Sequence, residues 1–314
     1  MPGDPAISIL GAHAPADQNE AVRKTLGLDR PIFINTHGNP FDSQYFHYLE
    51  NLIKYDLGRS MIWSKRPVAQ EIKEHFPATF ELTLCSIIIT MLIGIFGGTI
   101  AAYKQKSVLD YGFRLYGIII YSIPVFWLGL MLQLLFGVFL GIFPVSGRIE
   151  AGIELHKITG LFLLDSILTL NWEAFKSSLK HIALPSITLG LSLSGIFVRL
   201  TRANMIHTLK QDFVIAARVR GIPERKVVYK HALKNAFIPI LTMMGLEFAI
   251  LLAGAVLTET TFSWPGMGRY LVERILYRDF NAVQGGVILF ALLVSAISLL
   301  VDITYSIIDP RIRY

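Results

Sequence analysis

The chain has 314 residues, of which 53% are hydrophobic and 17% are charged, and its formal net charge is +6. A soluble domain of this length carries about a quarter charged residues, whereas the mean hydropathy here is +0.52. These figures exclude an ordinary soluble domain and predict an integral membrane protein.

The N-terminal region, residues 1–78, is polar and nearly neutral, with eight basic and nine acidic residues. We predict that it lies outside the cytoplasm, that residues 79–308 form a transmembrane domain, and that residues 309–314 form a cytoplasmic tail. No apolar leader in this sequence would carry the N-terminal region across a membrane. We therefore expect an intact relative to have one additional membrane span before it.

Five apolar runs follow, each close to or above the roughly 20 residues that a helix needs to cross a bilayer. They cover about Leu82–Ala102, Leu115–Phe143, Ile182–Leu200, Phe237–Leu257 and Val283–Ile308. Small residues within these runs predict close approach of helix backbones in lipid. These residues are Gly94, Gly97, Gly98, Gly190, Gly195, Gly245 and Gly254.

The second run contains Pro124, which removes a backbone hydrogen bond and favours a bend. That bend either lines a pathway or is a packing kink. Acidic residues inside membrane spans are functional candidates by default. Glu247 is interpreted either as a group on the pathway or as a hydrogen-bonding group between helices, and Asp302 as a structural residue paired with a nearby base. Trp264 is expected at the level of the lipid headgroups.

The distribution of Lys and Arg predicts the orientation, because cytoplasmic loops are enriched in these residues. The loops after the first and third runs and the C-terminal tail are basic. Residues 144–178 carry three basic and four acidic residues, and residues 258–280 carry three of each. The C-terminus is therefore expected in the cytoplasm.

The motifs of several enzyme classes are absent. The sequence contains no G-x-x-x-x-G-K-[ST], H-E-x-x-H or G-x-S-x-G motif, and its eight histidines lack metal-ligand spacing. Its one cysteine, Cys85, forms no disulfide within the chain. We expect no catalytic, cofactor-binding or metal-binding residues. Nucleic-acid binding is not expected either, since the densest basic cluster lies between membrane spans.

That cluster lies in a loop at about 203–236, where the pattern predicts a helix, a break and a second helix. Gly221 permits an open backbone conformation, and Pro223 suits the first turn of the helix that follows. Before the break, Ala216 and Ala217 form a small-sided helix surface that another protein can approach closely. These features favour a docking element for a cytoplasmic partner.

The second helix carries a stripe of positive charge, since Lys226, Lys230 and Lys234 are spaced four residues apart. An alternative interpretation is a loop on the cytoplasmic side whose lysines lie among lipid phosphates. That alternative does not account for the paired alanines, for the glycine break, or for Asn235 beside the membrane.

The loop resembles the EAA loop of ABC-importer permeases, in the form found in the dipeptide/oligopeptide/nickel permease family. The matching residues are Ala217, Gly221, the run His231–Ala236 and Pro239. Ile215 stands where the general importer pattern has Glu, and the peptide-type branch shares this departure. By resemblance, the residues that couple the permease to its ATPases are Ala216, Ala217, Gly221, Pro223, His231 and Asn235.

Other stretches resemble the same branch in the same order, so the likeness covers essentially the entire chain. They are Pro2–Pro5, Leu26–Pro31, Asp56–Ser60, Pro77–Leu82, Ser122–Trp127, Pro144–Arg148, Thr258–Gly268 and Asp309–Arg313. The chain is most similar to the first of two permease subunits of dipeptide importers, the B subunit. In that family a membrane helix precedes the first of these stretches, so the resemblance implies that this chain lacks the first helix.

The resemblance implies an all-α polytopic membrane protein with the type I ABC-importer permease fold, five transmembrane helices here and six in the intact family. It implies a heterodimer with a sister permease, two ATPase subunits that bind the ATP, and an extracytoplasmic substrate-binding protein. The expected location is the inner or plasma membrane of a bacterium or archaeon. The expected cargo is a dipeptide or oligopeptide.

Several alternatives are kept. The same machinery in this family also carries nickel chelates, glutathione or opines. A secondary transporter driven by an ion gradient needs paired intramembrane charges and often internal repeats, of which the sequence has little. A membrane-embedded enzyme needs a clustered polar site, which is missing from the sequence.

Overall fold

The computed structural model describes residues 5–10, 15–25, 27–36, 38–61, 65–252 and 254–308. Helices form the secondary structure of these residues, apart from an isolated bridge between Arg59 and Pro67. The predicted all-α class is therefore confirmed. The tail at 309–314 and most of the Pro2–Pro5 stretch lie outside the described residues.

The helices occur in the following order along the chain. They are α1 (Pro5–Leu10), α2 (Ala16–Thr25), α3 (Gln44–Ile53), α4 (Val68–Tyr103), α5 (Val108–Ser122), α6 (Val125–Leu132), α7 (Phe162–Leu168), α8 (Trp172–Thr208), α9 (Asp212–Val219), α10 (Glu224–Lys226), α11 (Leu233–Leu252), α12 (Val256–Thr261), α13 (Met267–Leu276) and α14 (Phe280–Ile308). Two π-helical segments, Gln133–Phe139 and Val227–Ala232, follow α6 and α10 directly.

Polar side chains begin several of these helices by accepting a hydrogen bond from a free backbone amide of the first turn. Ser107 accepts from the amide of Asp110 at the start of α5, and Asn171 accepts from the amide of Ala174 at the start of α8. Asp110 is itself buried and forms an ion pair of 2.6 Å with Arg202. The start of α5 is thereby attached to the last part of α8.

The chain divides into two compact units. The first comprises residues 1–76 and 270–291. Within it, the buried carboxylate of Asp279 accepts hydrogen bonds from the Ser60 hydroxyl and the Met61 amide, and Asn281 donates to the carbonyl of Arg59 over 2.9 Å. The stretch Asp56–Ser60, which carries part of the family resemblance, is thus anchored on the start of α14.

The second unit comprises residues 77–269 and 292–314, and α8 lies at its centre, packed against α5, α6, α7 and α11. The backbone of another helix approaches closely at four of the predicted glycines, Gly94, Gly98, Gly190 and Gly195, whereas Gly97 and Gly245 meet side chains and Gly254 lies outside the helices. A Cβ atom at Gly98 would lie 2.6 Å from the Cβ of Thr201, and one at Gly190 would lie 2.6 Å from the Cγ2 of Ile89. Larger residues at these positions would force the helix backbones apart.

Among the residues that the structure describes, four helices are long and apolar enough to cross a membrane: Val68–Tyr103, Trp172–Thr208, Glu224–Leu252 and Phe280–Thr304. The second predicted run is instead a bent pair, Val108–Ser122 and Val125–Phe139, whose axes meet at 100°. The break coincides with Pro124, the residue before α6, as its missing amide hydrogen predicts. The described part of the chain thus contains four candidate spans, or five if the bent pair counts as one.

Candidate functional site

The loop between α8 and α11 folds as a sharp turn between two helical arms, and we call residues 212–236 the elbow. At the end of α9 the Gly221 amide donates to the carbonyl of Arg218 over 2.9 Å, and the Ile222 amide donates to the carbonyl of Ala217 over 3.2 Å. This pair of hydrogen bonds defines a Schellman C-cap, which requires a left-handed residue at the glycine position. Gly221 has a φ of +71°.

Position 221 requires a glycine because of its backbone conformation and not because space is lacking. A Cβ atom placed on it would meet no atom within 4 Å. Pro223 then begins the second arm, with φ −55° and ψ 134°, and α10 follows it. The predicted helix, break and second helix are therefore confirmed. A π-helical segment, Val227–Ala232, links α10 to α11.

One side of the elbow is buried in an apolar cluster, which we call the elbow core. It consists of Ala102, Met205, Val214, Ala217, Val227, Val228, Ala232 and Ala236. Burying a valine side chain contributes about 1.5–3 kcal/mol, so these contacts hold α9 firmly. Because Met205 belongs to α8 and Ala236 to α11, the elbow core connects α9 to both long helices.

The opposite side of α9 leaves apolar side chains uncovered. The exposed fractions are 42% for Phe213, 49% for Ile215 and 82% for Val219, and Ala216 is exposed beside them. Contiguous exposed apolar groups are typical of a protein-binding surface. The structure separates the two alanines that the sequence placed on one surface, since Ala216 lies on this exposed face whereas Ala217 lies in the elbow core.

The remaining predicted coupling residues lie on the second arm. The side-chain amide of Asn235 donates to the carbonyl of His231 over 2.9 Å, so these two residues are joined within one helical turn. Lys226, Lys230 and Lys234 are all exposed, as their predicted stripe requires.

An ion pair that the sequence analysis missed spans the outer side of the turn. The guanidinium of Arg218 donates from Nη2 to Oε1 of Glu224 over 2.7 Å and from Nε to Oε2 over 3.2 Å. The hydrogen bond to Glu224 raises the pKa of Arg218, and partial burial acts in the opposite direction. The sequence feature that could have predicted this ion pair is the presence of opposite charges on either side of the Gly-x-Pro break.

A second group of polar residues, also missed, meets around α4. The hydroxyl of Thr79 donates to Glu259 Oε1 over 2.7 Å and accepts from the amide of Met267 over 2.7 Å. Glu259 is fully buried, and its Oε2 accepts from the amide of Arg269 over 2.9 Å. Burial raises the pKa of Glu259, and the hydrogen bonds from Thr79 and from the amides of Arg269 and Gly268 oppose that effect. The carboxylate thereby caps the first turn of α13.

Two residues further along α4, Glu81 holds a second loop. It accepts from Arg148 over 2.6 Å and from the amide of Leu163 over 2.7 Å. The guanidinium of Arg148 lies 3.8 Å from the centre of the Phe162 ring, a cation–π distance. Burial lowers the pKa of Arg148, and the charge of Glu81 raises it. The stretches Pro77–Leu82, Pro144–Arg148 and Thr258–Gly268 thus converge on one place in the fold.

Trp264, which is expected at the level of the lipid headgroups, faces the protein interior and not lipid. Its side chain is 1% exposed and donates from Nε1 to the carbonyl of Ala78 over 2.9 Å. Because the ring is enclosed by α4, α8 and α11 of the same unit, it contributes to the protein core. An aromatic residue near the end of a span does not reveal whether protein or lipid surrounds it.

The two candidate intramembrane acids differ in their surroundings. Glu247 is half-buried on α11, and its carboxylate has no hydrogen bond or ion pair to any residue that the structure describes. Asp302 is exposed on α14 and has no ion pair within the same residues, while the nearby Arg311 and Arg313 lie outside them. Among the described residues, no group of three His, Cys, Asp or Glu side chains could hold a metal ion.

Comparison with protein families matches residues 94–314 to the binding-protein-dependent transport system inner membrane component. The di/tripeptide transport system permease protein DppB of Pseudomonas aeruginosa (strain UCBPP-PA14) is 40% identical, over 100% of this chain and 91% of that protein. The dipeptide transport system permease protein DppB of Escherichia coli (strain K12) is 39% identical over the same shares. The glutathione transport system permease protein GsiC of E. coli O6:H1 is 38% identical, over 100% of this chain and 90% of that protein.

Among solved structures, the MetNI methionine ABC transporter in an inward-facing conformation is similar to this chain with a TM-score of 0.55. The alignment covers 77% of this chain and 97% of that chain at 14% identity. At this level of identity the likeness concerns the fold alone.

Proposed function

Because this chain belongs to the family of binding-protein-dependent transport system inner membrane components, we propose that it is the membrane-spanning permease subunit of an ATP-driven importer of peptides. The observation that carries this proposal is its identity of about 40% over the whole chain to the di/tripeptide and dipeptide permeases. In this proposal a sister permease completes the translocation path, an extracytoplasmic binding protein delivers the peptide, and two ATPase subunits bind and hydrolyse ATP.

The elbow is the site at which this subunit receives the energy of ATP hydrolysis. The exposed apolar side of α9 fits a groove on a partner protein, and the elbow core connects α9 to α8 and α11. Movement of the ATPase would push α9 and turn the long helices as a rigid body. This assignment places the elbow and the C-terminus in the cytoplasm.

Glutathione is a second candidate cargo, because its permease in E. coli is 38% identical over the full length of this chain. Both candidates are small peptides with an ammonium group. The carboxylate of Glu247, which has no partner among the residues that the structure describes, suits a position on the pathway that meets such a cation.

Crosslinking tests the coupling assignment. Val219→Cys, in a Cys85→Ser background that removes the native cysteine, is treated with a thiol crosslinker in membranes that contain the whole transporter. We expect a crosslinked product with an ATPase subunit. Tyr55→Cys, at a 91% exposed position in the N-terminal region, serves as the control and is expected to give none. Equal products from both positions, or none from Val219→Cys, would refute the assignment.

The cargo is tested by uptake of labelled dialanine into proteoliposomes, with unlabelled glutathione as competitor. Uptake that requires ATP and resists glutathione supports the dipeptide assignment, whereas complete competition favours glutathione.

A further inference from the structure

The turn of the elbow is bridged on both of its sides. On the inner side, Ala217 lies in the elbow core and Ile222 packs against that core, so apolar contacts connect the end of α9 to the start of the second arm. On the outer side, Arg218 of α9 and Glu224 of α10 form the two-pronged ion pair of 2.7 and 3.2 Å. Between the two bridges runs the backbone of Gly221, the most permissive residue type.

The ion pair is suited to fixing an angle rather than to stabilising the fold. Its side chains are 41% and 37% exposed, and ion pairs with this exposure contribute little to folding stability. A guanidinium that meets a carboxylate with two parallel hydrogen bonds, however, defines the orientation of both groups. The pair therefore opposes bending at Gly221 in the direction that would open the outer side of the turn.

We propose that Arg218 and Glu224 form a clamp that fixes the angle between α9 and the second arm, which makes them positioning residues for energy coupling. This inference rests on the proposed function of the elbow. A push on the exposed side of α9 reaches α11 only if the turn does not bend, and the clamp supplies that stiffness. Without the clamp, part of the displacement is absorbed at Gly221, and ATP is hydrolysed with less transport.

The geometric part of the inference is tested without substrate. Spin labels are placed at Val219→Cys on α9 and at Lys234→Cys on the second arm, both exposed positions, in the Cys85→Ser background of the assembled transporter. Double electron–electron resonance measures the distribution of distances between the two labels. We expect a narrow distribution in the parent protein, a broader one in Arg218→Ala and in Glu224→Ala, and a narrow one again in the charge-reversed pair Arg218→Glu/Glu224→Arg.

The functional part is tested by the ratio of dialanine uptake to ATP hydrolysis in proteoliposomes with equal amounts of assembled complex. Each single alanine variant is expected to lower this ratio about fivefold, the lower end for coupling between two sites. The charge-reversed pair is expected to recover it. Arg218→Lys keeps the charge without the planar fork, so its ratio should lie between those of the alanine variants and the charge-reversed pair. Lys104→Ala removes an exposed positive charge outside the elbow and is the control with an unchanged ratio.

The outcomes separate the clamp from the proposed function. Unaltered distance distributions in both alanine variants overturn the clamp. Broader distributions with an unchanged transport ratio overturn its role in coupling. Loss of transport that the charge-reversed pair does not recover means that Arg218 binds a partner directly, which also overturns the clamp. Failure of the Val219→Cys crosslink to an ATPase refutes the proposed function, and the spin-label distances still decide whether the clamp exists.

Discussion

Arg148 and Glu81 form an ion pair of 2.6 Å in which 7% of one side chain and 6% of the other are exposed. The guanidinium also donates to the carbonyl of Gly160 over 2.9 Å and stacks on Phe162. The pair therefore attaches the loop before α7 to α4 within the second unit. A buried charge of this kind is tolerated only because its partner is present.

Removing one member of this pair should destabilise the protein strongly. For Arg148→Met we expect a loss of about 3–5 kcal/mol, because Glu81 is left buried without its counter-charge. The double variant Glu81→Met/Arg148→Met should be less destabilised than the single one, since no uncompensated charge remains. A thermal-shift assay in detergent measures the stability of both variants. A double variant that is less stable than the single variant would contradict the argument.

Replacing Glu259 with Gln should loosen the loop that precedes α13. Both carboxylate oxygens accept hydrogen bonds, and a side-chain amide would point an N–H group at one of those donors. We expect a loss of about 1–3 kcal/mol, the cost of an unsatisfied buried polar group. Thr79→Val should have a similar effect, whereas Thr79→Ser keeps the hydroxyl and serves as the control. Protection of the Met267 and Arg269 amides from hydrogen exchange gives a local readout.

Asp165 makes part of the stability of the second unit dependent on pH. Burial acts to raise the pKa of Asp165, but hydrogen bonds from the Thr159 hydroxyl and from the amides of Thr159, Gly160 and Ile158 lower it below its ordinary value. The unfolded chain then binds the proton more readily than the folded chain does. The contribution of the ionised Asp165 to the free energy of unfolding is therefore fully present above about pH 3.9. It is lost as the pH falls through the lower pKa of the folded state.

Asp165→Asn tests this dependence. The variant should be less stable at neutral pH, because its side chain keeps only one acceptor oxygen. Its thermal unfolding temperature should fall less steeply than that of the parent protein below about pH 4, where the parent carboxylate becomes protonated. Parallel pH curves for the two proteins would show that Asp165 does not titrate as argued.

The loss of transport per ATP in variants of Gly221 should depend on the backbone preference of the new residue and not on its size. A residue with a Cβ atom in the left-handed conformation costs about 1–2 kcal/mol, and asparagine is the side chain that best tolerates it. We expect Gly221→Val to reduce transport per ATP strongly, and Gly221→Asn to reduce it much less although asparagine is similar in volume. The two variants are compared in proteoliposomes at equal protein. Equal losses would mean that space, rather than φ, limits this position.

Glu247→Gln tests the proposed position of this carboxylate on the pathway. If Glu247 meets the ammonium group of the cargo, the variant should raise the KM for dialanine about tenfold, which corresponds to the loss of about 1.4 kcal/mol from one charge-assisted interaction. An N-acetylated dipeptide, which lacks the cation, should be affected much less if it is transported at all. The same change in KM for both peptides would indicate a structural role for Glu247.

The membrane class, the apolar runs and the elbow were predictable because each depends on properties that residues carry locally. Hydropathy summed over about 20 residues identifies a span whatever it packs against. Gly221 and Pro223 set the backbone of the elbow through their own φ preferences. Pro124 likewise predicted the bend in the second run, although not its angle of 100°. The expected type I ABC-importer permease fold is confirmed by the family match and the structural likeness.

Tertiary structure alone decided which polar residues meet. Thr79 and Glu259 are separated by 180 positions, and Glu81 and Arg148 by 67; no local preference encodes such pairings. Whether Trp264 faces protein or lipid depends in the same way on neighbours from other helices, which the local sequence does not reveal. Hydropathy and backbone preference belong to a residue and its immediate neighbours, whereas burial and charge pairing belong to the packed chain.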